Sequence, residues 1–320
     1  ASSTAIYGTR GSNGVILITT KRGQAGSAKV SINSYLSLNS PTNVPRVMYG
    51  DREVQRLIDK ANYQADLKSG TWGGSDLTPE QVLIETLEDF TEIDIYNDKS
   101  YTDWLELILQ DGMTKNIELS VSGGTDKTNY LLSLGGMFEE GLMKDDLQDR
   151  YNLKTSLDHS INNYLKVGAS VLFTYKNRNA RNASVFGQSL KMTTITHPYR
   201  LDNGNMIKTP NPRYAAHSNP LLDEVPGAFS NGIESTRFFG NGYVQVTPVK
   251  DLVFKSMFAV NRQNARTGTY QDYESVARFQ QPATSYISST FENRTDYTLD
   301  NTLNYTRAFD VHEKIGRAHV

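Results

Sequence analysis

The sequence predicts an all-β fold, a partial transmembrane antiparallel β-barrel of about eight strands, with helices in its first long loop. Two observations lead to this prediction. Apolar and polar residues alternate with a period of two in segments of about ten residues, the length that a tilted strand needs to cross a membrane. The connections between these segments alternate between short turns and long excursions, as they do in membrane barrels.

The composition excludes several classes of protein. The 320 residues include 33 basic and 35 acidic side chains and no cysteine. Such a balance gives no basic field for phosphate backbones, so nucleic acid is not expected as a partner, and disulfides and thiolate metal sites are impossible. The sequence contains no run of about 18 apolar residues, so it predicts no helical membrane span. A lipid-facing strand needs only alternate apolar residues, so the mean hydropathy of −0.51 is compatible with a barrel.

Residues 165–175 give the clearest strand. One side carries Leu165, Val167, Ala169, Val171, Phe173 and Tyr175. The opposite side carries Lys166, Gly168, Ser170 and Thr174. Further stretches alternate in the same way at 30–38, 115–123, 130–138, 151–158, 238–247, 252–260 and 297–306. Such strands have two faces that require different solvents.

Short turns are predicted at 125–128, 162–163 and 250–251, and long loops at 39–114, 177–237 and 268–294. The loop 177–237 is rich in Asn, Pro, Gly and Ser and has no sustained period, which indicates an irregular surface loop. We expect ligand contacts there, although the sequence identifies no substrate-binding residue.

The first long loop carries three helical patterns. Val54, Leu57 and Ile58 begin the first pattern at helical spacing. The run 78–81, Thr-Pro-Glu-Gln, is a capping box with proline at the first helical position, and Val82, Leu83, Leu87 and Phe90 are expected to continue this second helix. A third, short helix is expected from Asp103, with Gly112 as its stop. The loop is therefore predicted to be ordered.

Aromatic side chains near the strand ends are open to two interpretations. They could form the interfacial girdles of a membrane barrel, or they could reflect the general preference of tyrosine for strands. The residues concerned are Tyr130, Phe138, Tyr151, Tyr164, Tyr175, Tyr297 and Tyr305.

The N-terminal run 4–23, TAIYGTRGSNGVILITTKRG, resembles the end of the plug domain of SusC/RagA-type TonB-linked outer-membrane proteins. Two further stretches resemble the same family: Asp103-Trp104 leading into 119–124, and 150–153 leading into Leu157-Asp158. The resemblance assigns 1–26 to the plug and 27–313 to the N-terminal part of the barrel. It identifies Tyr7, Gly8, Arg10, Gly11 and Gly14 as the plug motif.

The family resemblance implies a lumen-filling plug inside a barrel of about 22 strands, in the outer membrane of a bacterium. It implies import of a glycan, oligosaccharide or oligopeptide, coupled to the TonB complex and assisted by a SusD-like surface lipoprotein. The chain would then be part of a longer protein. Independently of the resemblance, the three glycines of the motif permit tight turns before a buried strand. A phosphate loop is disfavoured because a strand, not a helix, follows them.

No residue pattern supports catalysis, a metal site or a cofactor, so we do not expect an enzyme. The five histidines lie far apart. Glu139-Glu140 and Asp145-Asp146 could be imagined as the paired carboxylates of a glycoside hydrolase, but the two members of each pair sit beside one another, so we expect solvated surface carboxylates. The aromatic rings of the loops, at 72, 104, 197 and 199, could stack on a ligand. For the two tryptophans, packing against the helices of the loop is the preferred explanation, and turn formation by proline explains the rings at 197 and 199 equally well.

A second hypothesis is a soluble β-sandwich, either a carbohydrate-binding module or a glycan hydrolase, in which two apolar faces would meet each other. The two hypotheses differ in whether the apolar face of the sheet is covered by a second sheet. The last residues, 314–320, resemble a translated sequencing adapter, and we expect them to carry no fold information.

Overall fold

The computed structural model describes residues 21–87, 90–211, 217–279, 281 and 284–309, together with 312–319; for 308–309 and 312–319 the backbone alone is described. The predicted plug motif, Tyr7 to Gly14, lies outside these ranges. In the part of the chain that is described, no helix combines the length and the hydropathy needed to cross a bilayer.

One antiparallel sheet dominates the structure. Its strands follow one another in chain order, each paired with the next. The strands are β1 (Gly26–Asn39), β4 (Gly112–Gly124), β5 (Thr128–Glu140), β6 (Leu147–Ser160), β7 (Leu165–Asn179), β8 (Phe229–Val249), β9 (Leu252–Gln271), β10 (Tyr286–Phe309) and the short β11 (His312–His319). Strands β2 (Thr86–Leu87) and β3 (Phe90–Thr91) form a separate small hairpin.

The eight long strands confirm the predicted up-and-down sheet. The sandwich hypothesis is wrong for the described residues, because no second large sheet covers the first. Strand β11 pairs with β10 between His312 and His319. That pairing does not test the origin of the last residues, which stays a prediction.

Short turns with side-chain support join the strands at one end of the sheet. The Thr125 hydroxyl accepts hydrogen bonds from the backbone N–H groups of Lys127 and Thr128, at 3.3 and 3.1 Å. The Asn162 side chain accepts from Tyr164 and Leu165 at 2.8 and 2.9 Å. Asx and Ser/Thr turns of this kind reverse the chain in few residues.

The two faces of the sheet differ in polarity, as the alternation predicts. Leu119, Leu134, Leu153 and Phe173 are paired in register across β4 to β7, and all four are exposed. The opposite face carries side chains such as Ser133, Lys154, Asp158 and Asn241. We call these the apolar face and the polar face. Because an exposed apolar face of this extent is costly in water, it requires lipid or a protein partner.

The strands run further than the alternation suggested, so the loop limits change. The long connections are 40–111, 180–228 and 272–285, in place of the expected 39–114, 177–237 and 268–294. Backbone ladder hydrogen bonds do not depend on hydropathy. These hydrogen bonds continue beyond the region where one face is apolar. Where both faces of a strand meet water, the sequence no longer alternates between apolar and polar residues.

The long connections form a helical unit at the other end of the sheet. Its elements are α1 (Asp51–Ser69), α2 (Pro79–Val82), α3 (Glu92–Asp98), α4 (Trp104–Ile108), α5 (Ala183–Ser189) and two 3₁₀ helices at Pro220–Glu224 and Val276–Arg278. We call residues 40–111, 180–228 and 272–279 the cap. The three predicted helices of the first loop are present, but two are shorter than expected. The second ends at Val82, because Leu87 and Phe90 pair with each other in the β2–β3 hairpin, and the third ends at Ile108, before Gly112.

The prediction of an irregular loop at 177–237 is wrong for its central part. Ile195 and Ile207 are buried against Val54, Leu83 and other side chains of the first loop. A second cluster joins Leu105 and Ile108 to side chains from residues 185, 221, 222 and 276. The two loops therefore share both clusters, and the apolar side chains involved are too far apart in sequence to produce a local period.

Candidate functional site on the polar face of the sheet

The N-terminal segment lies on the polar face where the structure begins to describe it. The Lys154 ammonium donates to the Lys21 carbonyl at 3.1 Å. A Cβ added at Gly23 would lie 2.2 Å from the Tyr130 carbonyl oxygen, so only glycine permits this close approach. The segment is thus held against the wall of the sheet by backbone contact and by one lysine.

Arg22 makes the strongest contact of this segment. Its Nη1 lies 2.5 Å from Oδ1 of Asp158, and the Tyr243 hydroxyl donates to the same oxygen at 2.6 Å. The Arg22 guanidinium also lies 5.6 Å from the centre of the Tyr243 ring. Asp158 is only 5% exposed, so its charge depends on these partners, because a buried carboxylate without them is strongly disfavoured.

Gly168 makes this arrangement possible. It is paired with Asp158 on one side and with Tyr243 on the other, so it separates them on the polar face. A Cβ at Gly168 would lie 2.4 Å from both the Asp158 Oδ1 and the Tyr243 ring. The missing side chain leaves room for the ring to lie across β7 and reach the carboxylate.

Sequence reasoning placed Asp158 and Gly168 on polar strand faces but did not identify them as a site. A glycine inside an otherwise regular strand is a signal for close approach of another group. Strand pairing aligns residues 158, 168 and 243, and the N-terminal segment brings residue 22 to them; both are tertiary properties. The group can bind and hold a segment of chain, and it contains no nucleophile placed beside a base.

The loop aromatic residues serve mainly for packing. Trp104 is 2% exposed and its indole N–H donates to the Thr193 carbonyl at 2.9 Å. His197 packs edge-on against Phe90, with ring centres 4.8 Å apart. Asn219 donates to the carbonyls of Pro198 and Ile207, both at 2.9 Å, which fixes the proline turns.

Trp72 differs from these residues because it is exposed, beside Tyr63 at a ring distance of 5.7 Å. The loop that carries it is fixed by Asp66, whose carboxylate accepts from the N–H groups of Gly73 and Ser75 at 2.6 and 2.9 Å. These bonds, with the hydroxyl of Ser75 as the main cause, hold the pKa of Asp66 below its ordinary value.

The expected solvated carboxylates at 145 and 146 are ion-paired with the next loop. Asp146 lies 3.1 Å from Arg178, and Asp145 lies 3.3 Å from Arg181, which also contacts Glu224 at 3.3 Å. Burial raises the pKa of Glu224 and of the neighbouring Asp223, which accepts from Asn182 at 2.7 Å. These charges join loops and do not form a catalytic pair.

A cleft of about 750 Å³ opens beside the start of the cap. Its charged lining includes Arg46, Arg52, Asp103, Glu106 and Asp111. It is large enough for part of an oligomeric ligand. Among the residues that the structure describes, no three metal-ligating side chains come together.

A sheet of eight long antiparallel strands with an exposed apolar face, a polar face and a helical cap at one end defines part of a transmembrane β-barrel. The comparisons with known proteins agree. TonB-dependent receptor P26 of Formosa agariphila is 24% identical over 98% of this chain, which covers 30% of that protein. TonB-dependent receptor SusC of Bacteroides thetaiotaomicron is 28% identical over 75% of this chain and 23% of its own length.

The solved structures give the same fold. The RagAB peptide importer in the open-open state superposes with a TM-score of 0.72 at 23% identity, covering 97% of this chain and 36% of that one. No family model matches the sequence. The predicted similarity to SusC/RagA-type TonB-dependent receptors is confirmed, and such receptors reside in the outer membrane of Gram-negative bacteria. The chain spans about 30% of the P26 relative's length.

Proposed function

We propose that the protein to which this chain belongs imports a large nutrient across the outer membrane in a TonB-dependent manner. Residues 1–26 are the end of its plug, with Tyr7, Gly8, Arg10, Gly11 and Gly14 as the plug motif. Residues 27–313 belong to the barrel. The observation that carries this proposal is the contact of Arg22 with Asp158, because a plug must be attached to the polar wall that surrounds it.

The chemistry of the two faces supports a transport role. The apolar face meets lipid, and the polar face lines a lumen that the plug closes. The buried carboxylate of Asp158, paired with the partly exposed guanidinium of Arg22 and with a tyrosine hydroxyl, holds the plug end firmly while leaving the rest of the plug able to move. Because the similar proteins are receptors and an importer, we propose a transporter and not an enzyme.

The cargo is proposed to be a glycan, oligosaccharide or oligopeptide. The relatives include SusC and the RagAB peptide importer, and a SusD-like surface lipoprotein is the proposed partner over the cap. The cleft beside the cap has both basic and acidic side chains, a mixture that suits the charged termini of an oligopeptide.

Uptake by cells that carry the intact gene tests this function. Fluorescent oligopeptides and oligosaccharides would be supplied to wild-type cells, to cells lacking the gene and to cells lacking TonB. Import should disappear in both deletions and return when the full-length gene is restored. Equal uptake in all three strains would contradict the proposed function, and the ligand that is imported would identify the cargo class.

A further inference from the structure

Two arginines lie on the apolar face of β9, directly after the hydrophobic stretch of that strand ends. Phe258, Arg262 and Arg266 lie four residues apart on β9, so their side chains point to the same face. The pairing of β9 with β10 is regular along its length, so no bulge reverses this direction. Both arginines are exposed.

The neighbours of Arg262 indicate its position along the membrane normal. Its partner across β8 is Phe238, which continues the apolar row of Leu153 and Phe173. Tyr297 stacks on Phe258 with ring centres 6.2 Å apart. Arg262 therefore stands at the edge of the hydrophobic region, where the headgroups of the outer leaflet begin. Arg266 stands about 10 Å higher, allowing for strand tilt.

Few protein side chains contact the guanidinium groups of Arg262 and Arg266. The Arg262 Nε lies 3.5 Å from the Asn264 side chain, and the Arg266 guanidinium lies 5.7 Å from the Phe291 ring centre. Neither takes part in the ion pairs found within the described ranges. Glu234, opposite Arg266 on β8, is an acidic side chain on the same face.

We infer that Arg262 and Arg266 bind the phosphate headgroup of an anionic lipid in the outer leaflet. Guanidinium groups match phosphate oxygens in geometry and charge. The acyl chains of such a lipid would lie along Phe238, which is beside Arg262, and along Phe258 and Tyr297 below it. A protein partner is disfavoured because the site stands over a lipid-facing surface. This site depends on the membrane location of the barrel and not on import, TonB or cargo.

Native mass spectrometry of the full-length protein tests the site. The protein would be released from vesicles of equal parts phosphatidylglycerol and phosphatidylcholine, and the retained lipids counted. Wild type should retain phosphatidylglycerol selectively. Arg262→Gln and Arg266→Gln should each lower its retention about five-fold, and the double variant more. Glu234→Gln should raise retention, because it removes a negative charge from the same site.

Arg294→Gln is the matched control. Arg294 pairs with Gln263, next to Arg262, but its side chain is on the polar face with Asp296. This variant should retain lipid as wild type does. The inference is overturned if the double variant retains phosphatidylglycerol normally, if Arg294→Gln loses it equally, or if inorganic phosphate displaces the lipid.

Discussion

The guanidinium of Arg22 lies 2.5 Å from the Asp158 carboxylate, although 136 residues separate the two positions along the chain. The Tyr243 hydroxyl binds the same oxygen, and Gly168 leaves the room for it. The N-terminal segment is therefore attached to the third and fifth long strands that follow β1. Its attachment can be tested without knowledge of the cargo.

Asp158→Asn should loosen the N-terminal segment in the full-length protein. The substitution removes the charge that pairs with Arg22, and the partly exposed guanidinium limits the loss to about 2 kcal/mol. Trypsin cleavage after Lys21 should become faster by up to about 30-fold. Asp296→Asn changes a carboxylate elsewhere on the polar face and should leave the rate unchanged. Equal rates for all three proteins would contradict the proposed attachment.

Gly168→Ala should separate Tyr243 from Asp158. The new Cβ would lie 2.4 Å from both side chains, so both must move, at a cost of about 1–3 kcal/mol. Gly135→Ala is the control, because a Cβ at Gly135 would find its nearest atom at 3.6 Å. Thermal unfolding of both variants in detergent measures the difference. A Gly168→Ala protein as stable as Gly135→Ala would contradict the steric argument.

Leu83→Ala should destabilise the cap and leave the sheet intact. Leu83 is 0% exposed in the first core cluster, and a truncation of this kind costs about 2–5 kcal/mol. The adjacent Ile84 is 68% exposed, so Ile84→Ala should have almost no effect. Hydrogen exchange should increase within 51–98 for Leu83→Ala alone. Increased exchange in β5 to β7 would mean that the cap and the sheet unfold together.

Acid should release the loop that carries Trp72. The pKa of Asp66 is lower in the folded protein than in the unfolded chain, so its stabilising effect is complete above pH about 4. This stabilisation is lost as the pH falls through the lowered pKa. A spin label at Thr71→Cys should become mobile only under such acid conditions.

In the Asp66→Asn background the same label should be mobile at every pH, because the carboxylate that holds Gly73 and Ser75 is absent. A pH transition that persists in Asp66→Asn would assign the effect to another group. Asp59→Asn, which changes an acid on the same helix that contacts Gln55, is the control and should keep the transition.

The 320-residue chain alone should not form a stable barrel in lipid. Within the described residues β1 is paired with β4 only, so one side of this strand has unpaired backbone groups. Each such group costs several kcal/mol in a bilayer. We expect no compact, heat-sensitive band in cold detergent gels, and the appearance of that band would contradict this prediction.

The strands could be predicted from sequence because their information is local. Successive side chains of β7 face different solvents, so the sequence shows that residues such as Phe173 and Ser170 belong to opposite faces. The short turns at Thr125 and Asn162 were predicted for the same reason, since the side chain that forms the turn lies within it. The capping box at Thr78 is another local pattern, and the Thr78 N–H is indeed held by the Gln81 side chain at 2.8 Å.

The cap and the polar-face site could not be predicted in this way. Ile195 is buried by Val54 and Leu83 of another loop, and this contact produces no periodicity within 177–237. The sequence by itself determined the strands, their turns, their two faces and the resemblance to plugged barrels. Only the tertiary structure decided that Arg22, Asp158, Gly168 and Tyr243 meet, because strand register aligns the last three and the N-terminal segment packs against the polar face beside them.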